Sequence, residues 1–330
     1  MSTASLVRET RGLSGEDAWA TLRRTGRRRL LADAFMRLRV SDGFSHARSL
    51  AFMTSLVALQ GIIAVVGLAG AIGGSGFSDI VAATVRRTVP GPAGQVLTEA
   101  VIHAHANGVQ HRLTAVVVGM LGSIVTATTA FGQIERGLNR LYGVELDRPT
   151  VQKYGRAFLL AITVGTLSSL AFVCLAFGRN LMRPLTTGHL STLWNVVCWP
   201  LGLILVATAV TLLFRSCPRR TQPNFSWLIV GSGVAVGLWV AVTAGLGYFF
   251  HISHSFGETY GPLAGVVALL MWSLLSAVAL FFGAAVAAQL ESARKGDPSP
   301  QDEEKVAHAE PVDDPDAAPD PTPVHAFVTK

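Results

Sequence analysis

Apolar residues arrive along this chain in long blocks rather than in short periodic stretches. From Trp227 to Leu290 the sequence runs for 64 residues with one formal charge, Glu258. Two apolar blocks flank a polar break from His251 to Pro262. Each block reaches the roughly 20 residues that a helix needs to cross the hydrocarbon of a bilayer. A helix satisfies its own backbone hydrogen bonds in lipid, so such a run belongs in a membrane. The stretch therefore predicts a hairpin of two spanning helices.

The same pattern recurs upstream. It predicts six spans in all, over about Ser49–Ile72, Leu113–Phe131, Ala157–Phe177, Thr192–Phe214, Trp227–Phe250 and Gly261–Leu290. Between the first two spans lies one long connection, 73–112. It opens on Gly73-Gly74-Ser75-Gly76 and is divided by Pro90-Gly91-Pro92. Ile80, Val81 and Val85, then Val96, Leu97, Ala100 and Val101, predict two amphipathic helices resting on the outer membrane face or capping the bundle. Residues 1–17 read as loosely ordered. Over 18–40, Trp19, Leu22, Leu31, Phe35 and Leu38 alternate with Arg23, Arg24, Arg27, Arg28 and Arg37. That pattern predicts a basic amphipathic helix suited to anionic lipid headgroups. The tail is rich in Pro, Asp, Glu and Ala and predicts disorder. The organisation is thus a basic arm (1–48), a spanning domain (49–291) and an acidic tail (292–330), in an all-α polytopic membrane protein.

Composition agrees with that class: half of the 330 residues are hydrophobic, 15% are charged, and mean hydropathy is +0.44. The net charge of +6 hides an asymmetry. With both termini inside, the inner segments carry 22 of the 27 Lys and Arg and the outer segments five. The positive-inside rule then places both termini on the cytoplasmic side. The same rule accounts for the basic arm without nucleic acid as a partner. The first apolar run begins too far into the chain, and is too long, for a cleavable signal peptide. Cys174, Cys198 and Cys217 show no CxxC spacing and read as apolar thiols.

Polar groups within or beside the spans are the first candidates for function, because lipid makes them costly. Gln60 falls midway along the first span. Gln133, Glu135 and Asn139 fall where the second span leaves the membrane, with Glu135 and Asn139 on one helix face. The bland account of Glu135 is an ion pair with Arg136 or Arg140. Pro200 lies inside the fourth span and predicts a kink. Glu258 reads as a loop acid, with proton sensing as its sharper alternative. His103, His105 and His111 lack the further ligands of a metal set. No P-loop, GxSxG or HExxH occurs. The sequence therefore predicts no cofactor and no enzyme. Gly233 with Gly237, and Gly261 with Gly265, predict close helix contacts of the GxxxG kind.

Three stretches resemble the YihY/virulence factor BrkB family of bacterial inner-membrane proteins, formerly mislabelled ribonuclease BN. They are Leu50-Ala51-Phe52 with Thr54; Gly137 to Gly143 followed by Arg148-Pro149; and Tyr260 to Val266 through Leu280 and Gly283-Ala284. The chain departs from that pattern in having Val57 and Gln60 where a Ser and a Pro are usual. It also has Ala285 and Ala287 where the final helix usually carries an acid and an amide. The resemblance implies six helices and a transporter-like role with no settled reaction. A transporter or exporter of an unidentified lipid-like or amphipathic substrate is the leading expectation. A non-catalytic scaffold of the cell envelope is the alternative, and a homo-oligomer is compatible with either.

Overall fold

The computed structural model describes residues 4–10, 12–72, 77–108, 112–177, 189–253, 255–260, 263–297 and 300. They form eleven α-helices: α1 (Gly15–Thr25), α2 (Arg27–Val40), α3 (Gly43–Ile72), α4 (Phe77–Thr88), α5 (Gly91–Gly108), α6 (Arg112–Leu141), α7 (Thr150–Phe177), α8 (His189–Ser216), α9 (Phe225–Ile252), α10 (Ser255–Tyr260) and α11 (Ala264–Lys295). Among the described residues, five segments are long and apolar enough to cross a membrane: Val117–Leu141, Thr150–Ala171, Val197–Ser216, Phe225–Ile252 and Ala264–Lys295. The 30-residue α3 matches them in length. Large apolar side chains face outward, including Leu121 and Val125 on α6, Leu159 on α7 and Ile204 on α8. Water would penalise that surface and lipid would not. The chain is an all-α polytopic membrane protein.

α3 and α6 make the most extensive helix pair, followed by α9 with α11. The main core collects Leu138, Phe214, Trp227, Leu228, Phe281 and Leu290 from four long helices. Two ends can be told apart: the arm end, where α1 and α2 sit, and the far end, which carries α4, α5 and α10.

The small-residue contacts differ from those the sequence suggests. A Cβ at Gly233 or Gly237 would meet nothing within 4 Å. The close approach of α9 to α11 is instead at Gly231 and Gly283. A Cβ on Gly283 would come 2.6 Å from the Gly231 carbonyl oxygen, and one on Gly231 would come 2.7 Å from the Gly283 oxygen. Gly261 lies outside the described residues. Gly265 does make a close contact, with Val96 and Pro92 of α5.

That last contact selects the bundle-capping alternative for the 73–112 connection. Its division at Pro90-Gly91-Pro92 is present, because α4 ends at Thr88 and α5 begins at Gly91. α5 does not rest on a surface, however. It packs against both α3 and α11. Val85, Val89, Ala93 and Leu97 are buried with Ala268 and Leu269. The missing side chain at Gly265 provides the room for this approach.

The arm is also built differently. Gly26, at φ +83°, separates α1 from α2 within the single helix that the pattern predicts. Ser14 and Asp17 cap α1 reciprocally. Residues 4–10 are packed rather than loose: Ala4, Val7 and Thr10 are buried. The Ala4 and Val7 amides donate to the carbonyls of Arg140 and Tyr142. The arm is therefore continuous with the bundle. The side chain of His105, and His111 and residues 301–330 entirely, lie outside the described residues.

Candidate functional site

Six long helices converge on one cavity of about 310 Å³. α3 contributes Thr54, α6 Ile134, α7 Ser168, α8 Val206, α9 Trp239, and α11 Ser273 and Ser276. Its lining residues are aliphatic groups, one indole and four hydroxyl residues, with no ionisable side chain. Local bonding fixes part of this set. Ser276 donates to its own helix at the Trp272 carbonyl (2.7 Å). Ser55 donates to Ser273 Oγ (3.0 Å), tying α3 to α11 beside the cavity. An ion entering such a lining would lose hydration without gaining a counter-charge, at heavy cost. An uncharged polar or amphipathic molecule would lose much less. The volume is at the lower end of the ~300–1,000 Å³ common for small-molecule sites.

Toward the arm end the packing closes. Phe281 is fully buried one residue past the cavity-lining Leu280. Its ring lies against Gly137 of α6 and the His46 ring, the latter at 6.4 Å between centroids.

Below that plug lies a network of buried charges. Glu135, next to the cavity-lining Ile134, has the Arg148 Nη1 at 3.0 Å from its Oε1. The same Nη1 donates to the Cys217 carbonyl at 2.7 Å, and Nη2 donates to the Pro218 carbonyl at 2.8 Å. Arg148 thereby ties the α6–α7 loop to the α8–α9 loop. Asn139 works in parallel: its Nδ2 donates to Asp147 and its Oδ1 accepts from the Arg219 amide. Asp147 also accepts from Lys153 at 2.8 Å and Arg136 at 3.3 Å. Partial burial pushes its pKa up, but Lys153, Asn139 and Arg136 outweigh that and hold the carboxyl at about 2.

A second half of the network joins α11 to the arm. Arg37, with no solvent exposure, donates Nε to Gln289 Oε1 (2.8 Å) and Nη1 to the carbonyls of Ser5 and Leu141. Arg220 Nη2 donates to Glu291 Oε1 at 2.7 Å, and Thr10 donates to the same oxygen. The Arg220 guanidinium lies 4.6 Å from the centre of the Tyr142 ring. Burial pushes the Tyr142 phenol and the Cys217 thiol well above their ordinary values, so both stay protonated. Neither is poised as a nucleophile.

The residues singled out in the sequence fall unevenly in this picture. Glu135 and Asn139 share a buried face and belong to the network, but the partner of Glu135 is Arg148, from the next loop, and neither Arg136 nor Arg140. The extended segment 144–149 returns Arg148 under α6, where a helical neighbour cannot point. Gln133 remains half-buried on α6. Gln60 is half-buried, its Oε1 is shielded without a partner among the described residues, and its amide lies against Gly122 of α6. Pro200 sits on the exposed side of α8, which runs through it from His189 to Ser216. The side chain of Glu258 lies outside the described residues. Arg37, expected on the headgroup-facing side of the arm, is instead fully buried against Gln289. Arg220 and Glu291 carry no distinguishing sequence signal, because each flanks an apolar run, where a charge normally marks the water boundary. The cavity serines carry no sequence signal beyond their place in apolar helices.

The fold and its buried polar end define a class: an integral membrane bundle whose arm, loops and last helix lock together at one face. The chain belongs to the virulence factor BrkB family, whose model matches residues 34–308. It is 30% identical to the UPF0761 membrane protein YihY of Salmonella typhimurium over 56% of this chain and 62% of that protein. A UPF0761 membrane protein of Halorhodospira halophila is 26% identical over 66% of this chain, and the chain spans about half of that relative's length. The putative ribonuclease-like protein YfkH of Bacillus subtilis is 21% identical over 80% of this chain and 96% of that protein. No solved structure matches the chain.

Proposed function

We propose that the protein is a transporter or exporter of the bacterial plasma membrane, carrying a neutral or amphipathic, lipid-like substrate through the cavity where α3, α6, α7, α8, α9 and α11 meet. The observation that carries this reading is the cavity itself, with a hydroxyl-bearing, charge-free lining drawn from all six long helices. In this reading those six helices cross the membrane and both termini are cytoplasmic. The 22-to-5 partition of basic residues supports that orientation. The arm end then faces the cytoplasm, and the plug at Phe281 closes the cavity on that side. Exposed Trp19, Leu31 and Phe35, interleaved with arginines, support contact of the arm with anionic headgroups. No enzyme activity is part of this reading.

The test is flux. Purified protein in liposomes should move short-chain fluorescent lipids or neutral amphiphiles. Ser276→Phe, which places a ring in the cavity, should abolish movement while the protein remains folded. The same exposed arm supports the scaffold as a second reading. Absence of flux in the parent protein, together with a stable co-purifying envelope partner, would replace the transporter with that scaffold.

A further inference from the structure

We propose that the acidic stretch 301–330 docks on the exposed arginine face of α1 and α2, in competition with anionic lipid. The surface is in the structure. Arg23, Arg24, Arg27 and Arg28 are exposed and have no acidic partner among the described residues. Their own helices supply little compensation: Asp17 caps α1 and meets Arg294, Asp33 lies 3.9 Å from Arg29, and Glu16, which lines one surface hollow with Arg23, forms no ion pair with it among the described residues. Four neighbouring guanidinium groups with one nearby acid keep a net positive charge that favours a polyanionic partner.

The occupant is fixed by charge and by attachment. Residues 301–330 hold eight carboxylates and two lysines. Their root is pinned beside this surface: Arg294 Nη2 meets Asp17 of α1 at 3.1 Å, and Asp297 meets Arg8 at 3.2 Å. Arg23 and Arg24 lie two turns further along α1 from Asp17. A chain can span up to about 3.3–3.6 Å per residue, so a segment starting at 301 reaches Arg23 and Arg24 within a few residues, and its 30-residue length leaves ample chain for Arg27 and Arg28. Tethering raises the local concentration of the acidic segment to the millimolar range for short flexible connections.

The lipid surface is the competitor because the same helices expose Trp19, Leu31 and Phe35. When the tail covers the arginines, the arm keeps its apolar contacts but loses the electrostatic share of membrane binding. When anionic lipid takes the arginines, the tail is released. The contest rests on the cytoplasmic orientation of the arm only for its cellular setting; the docking itself needs no assumption about transport.

The experiment uses the full chain in nanodiscs. Spin labels go on Ala32→Cys and Ala317→Cys, in a background of C174A, C198A and C217A. In phosphatidylcholine at low salt, a narrow short-distance population is expected. It should fall at least about twofold at 1 M NaCl, where the Debye length is about 3 Å. Neutralising the eight acids to Asn and Gln should produce the same loss at low salt. Including phosphatidylglycerol should also deplete the population. Distance distributions unchanged by salt and by neutralisation would overturn the docking. A short-distance population that anionic lipid leaves intact would overturn the competition.

Discussion

The Arg220 guanidinium lies 2.7 Å from the Glu291 carboxylate, and their side chains are 2% and 0% exposed. One comes from the α8–α9 loop and the other from the last turns of α11. The pair is therefore a bolt between two distant parts of the chain, with Thr10 of the arm on the same oxygen. Removing one partner strands the other charge in a dry site, which typically costs about 3–5 kcal/mol. Glu291→Ala should lower the midpoint of thermal unfolding in detergent sharply. Glu291→Ala combined with Arg220→Met should recover much of the loss. A single variant that melts like the parent would show that this pair does not hold the two segments together.

Asp147 gives the fold a pH limit. Its folded value of about 2 is below the 3.8 of an ordinary Asp. Depressed carboxyls contribute stability that is complete above the unfolded value and disappears as pH falls through the folded one. Amide exchange in residues 144–149, corrected for intrinsic rates, should thus be flat from neutrality to about pH 5 and accelerate between about pH 4 and 2. Asp147→Asn should expose the loop at every pH and abolish that acid step.

Two glycine pairs on α9 and α11 make a sharp contrast. Gly231 and Gly283 have each other's carbonyl oxygens within 2.7 Å of where a Cβ would go, whereas Gly233 and Gly237 face open space. Gly231→Val and Gly283→Val should each destabilise by about 1–3 kcal/mol or more through overpacking. Gly233→Ala and Gly237→Ala should fold normally, with a small gain from helix propensity. Equal tolerance at all four positions in a thermal-shift assay would contradict the observed helix approach.

Gln60 separates structural from functional polarity. Its half-buried amide oxygen lacks a partner among the described residues. Replacing it by Met removes that polar atom from the α3–α6 contact and should leave stability unchanged or raised by about 1 kcal/mol. Retained flux in the same variant would place the substrate path in the hydroxyl-lined cavity alone. Loss of flux from a stable Gln60→Met protein would add Gln60 to that path.

The membrane class, the helical architecture and the family were legible in the chain, because each depends on local information. A charge-free run of 20 residues has few folded alternatives to a spanning helix, and Pro90-Gly91-Pro92 breaks a helix wherever it lies. Which helix faces which was not legible. Gly233 and Gly231 are two residues apart, and only the rotation of α9 about its axis decides that Gly231 meets Gly283. The same holds for charges. Arg37 reads as a headgroup-facing residue of the arm, and Arg220 and Glu291 as ordinary boundary residues, until the arm, a loop and the end of α11 fold onto one another and exclude water. Glu135 found Arg148 rather than its helical neighbours because a loop returned beneath α6. Local composition determined where the chain enters lipid. Only tertiary packing decided which polar groups leave water together, since desolvation depends on every element that surrounds a side chain.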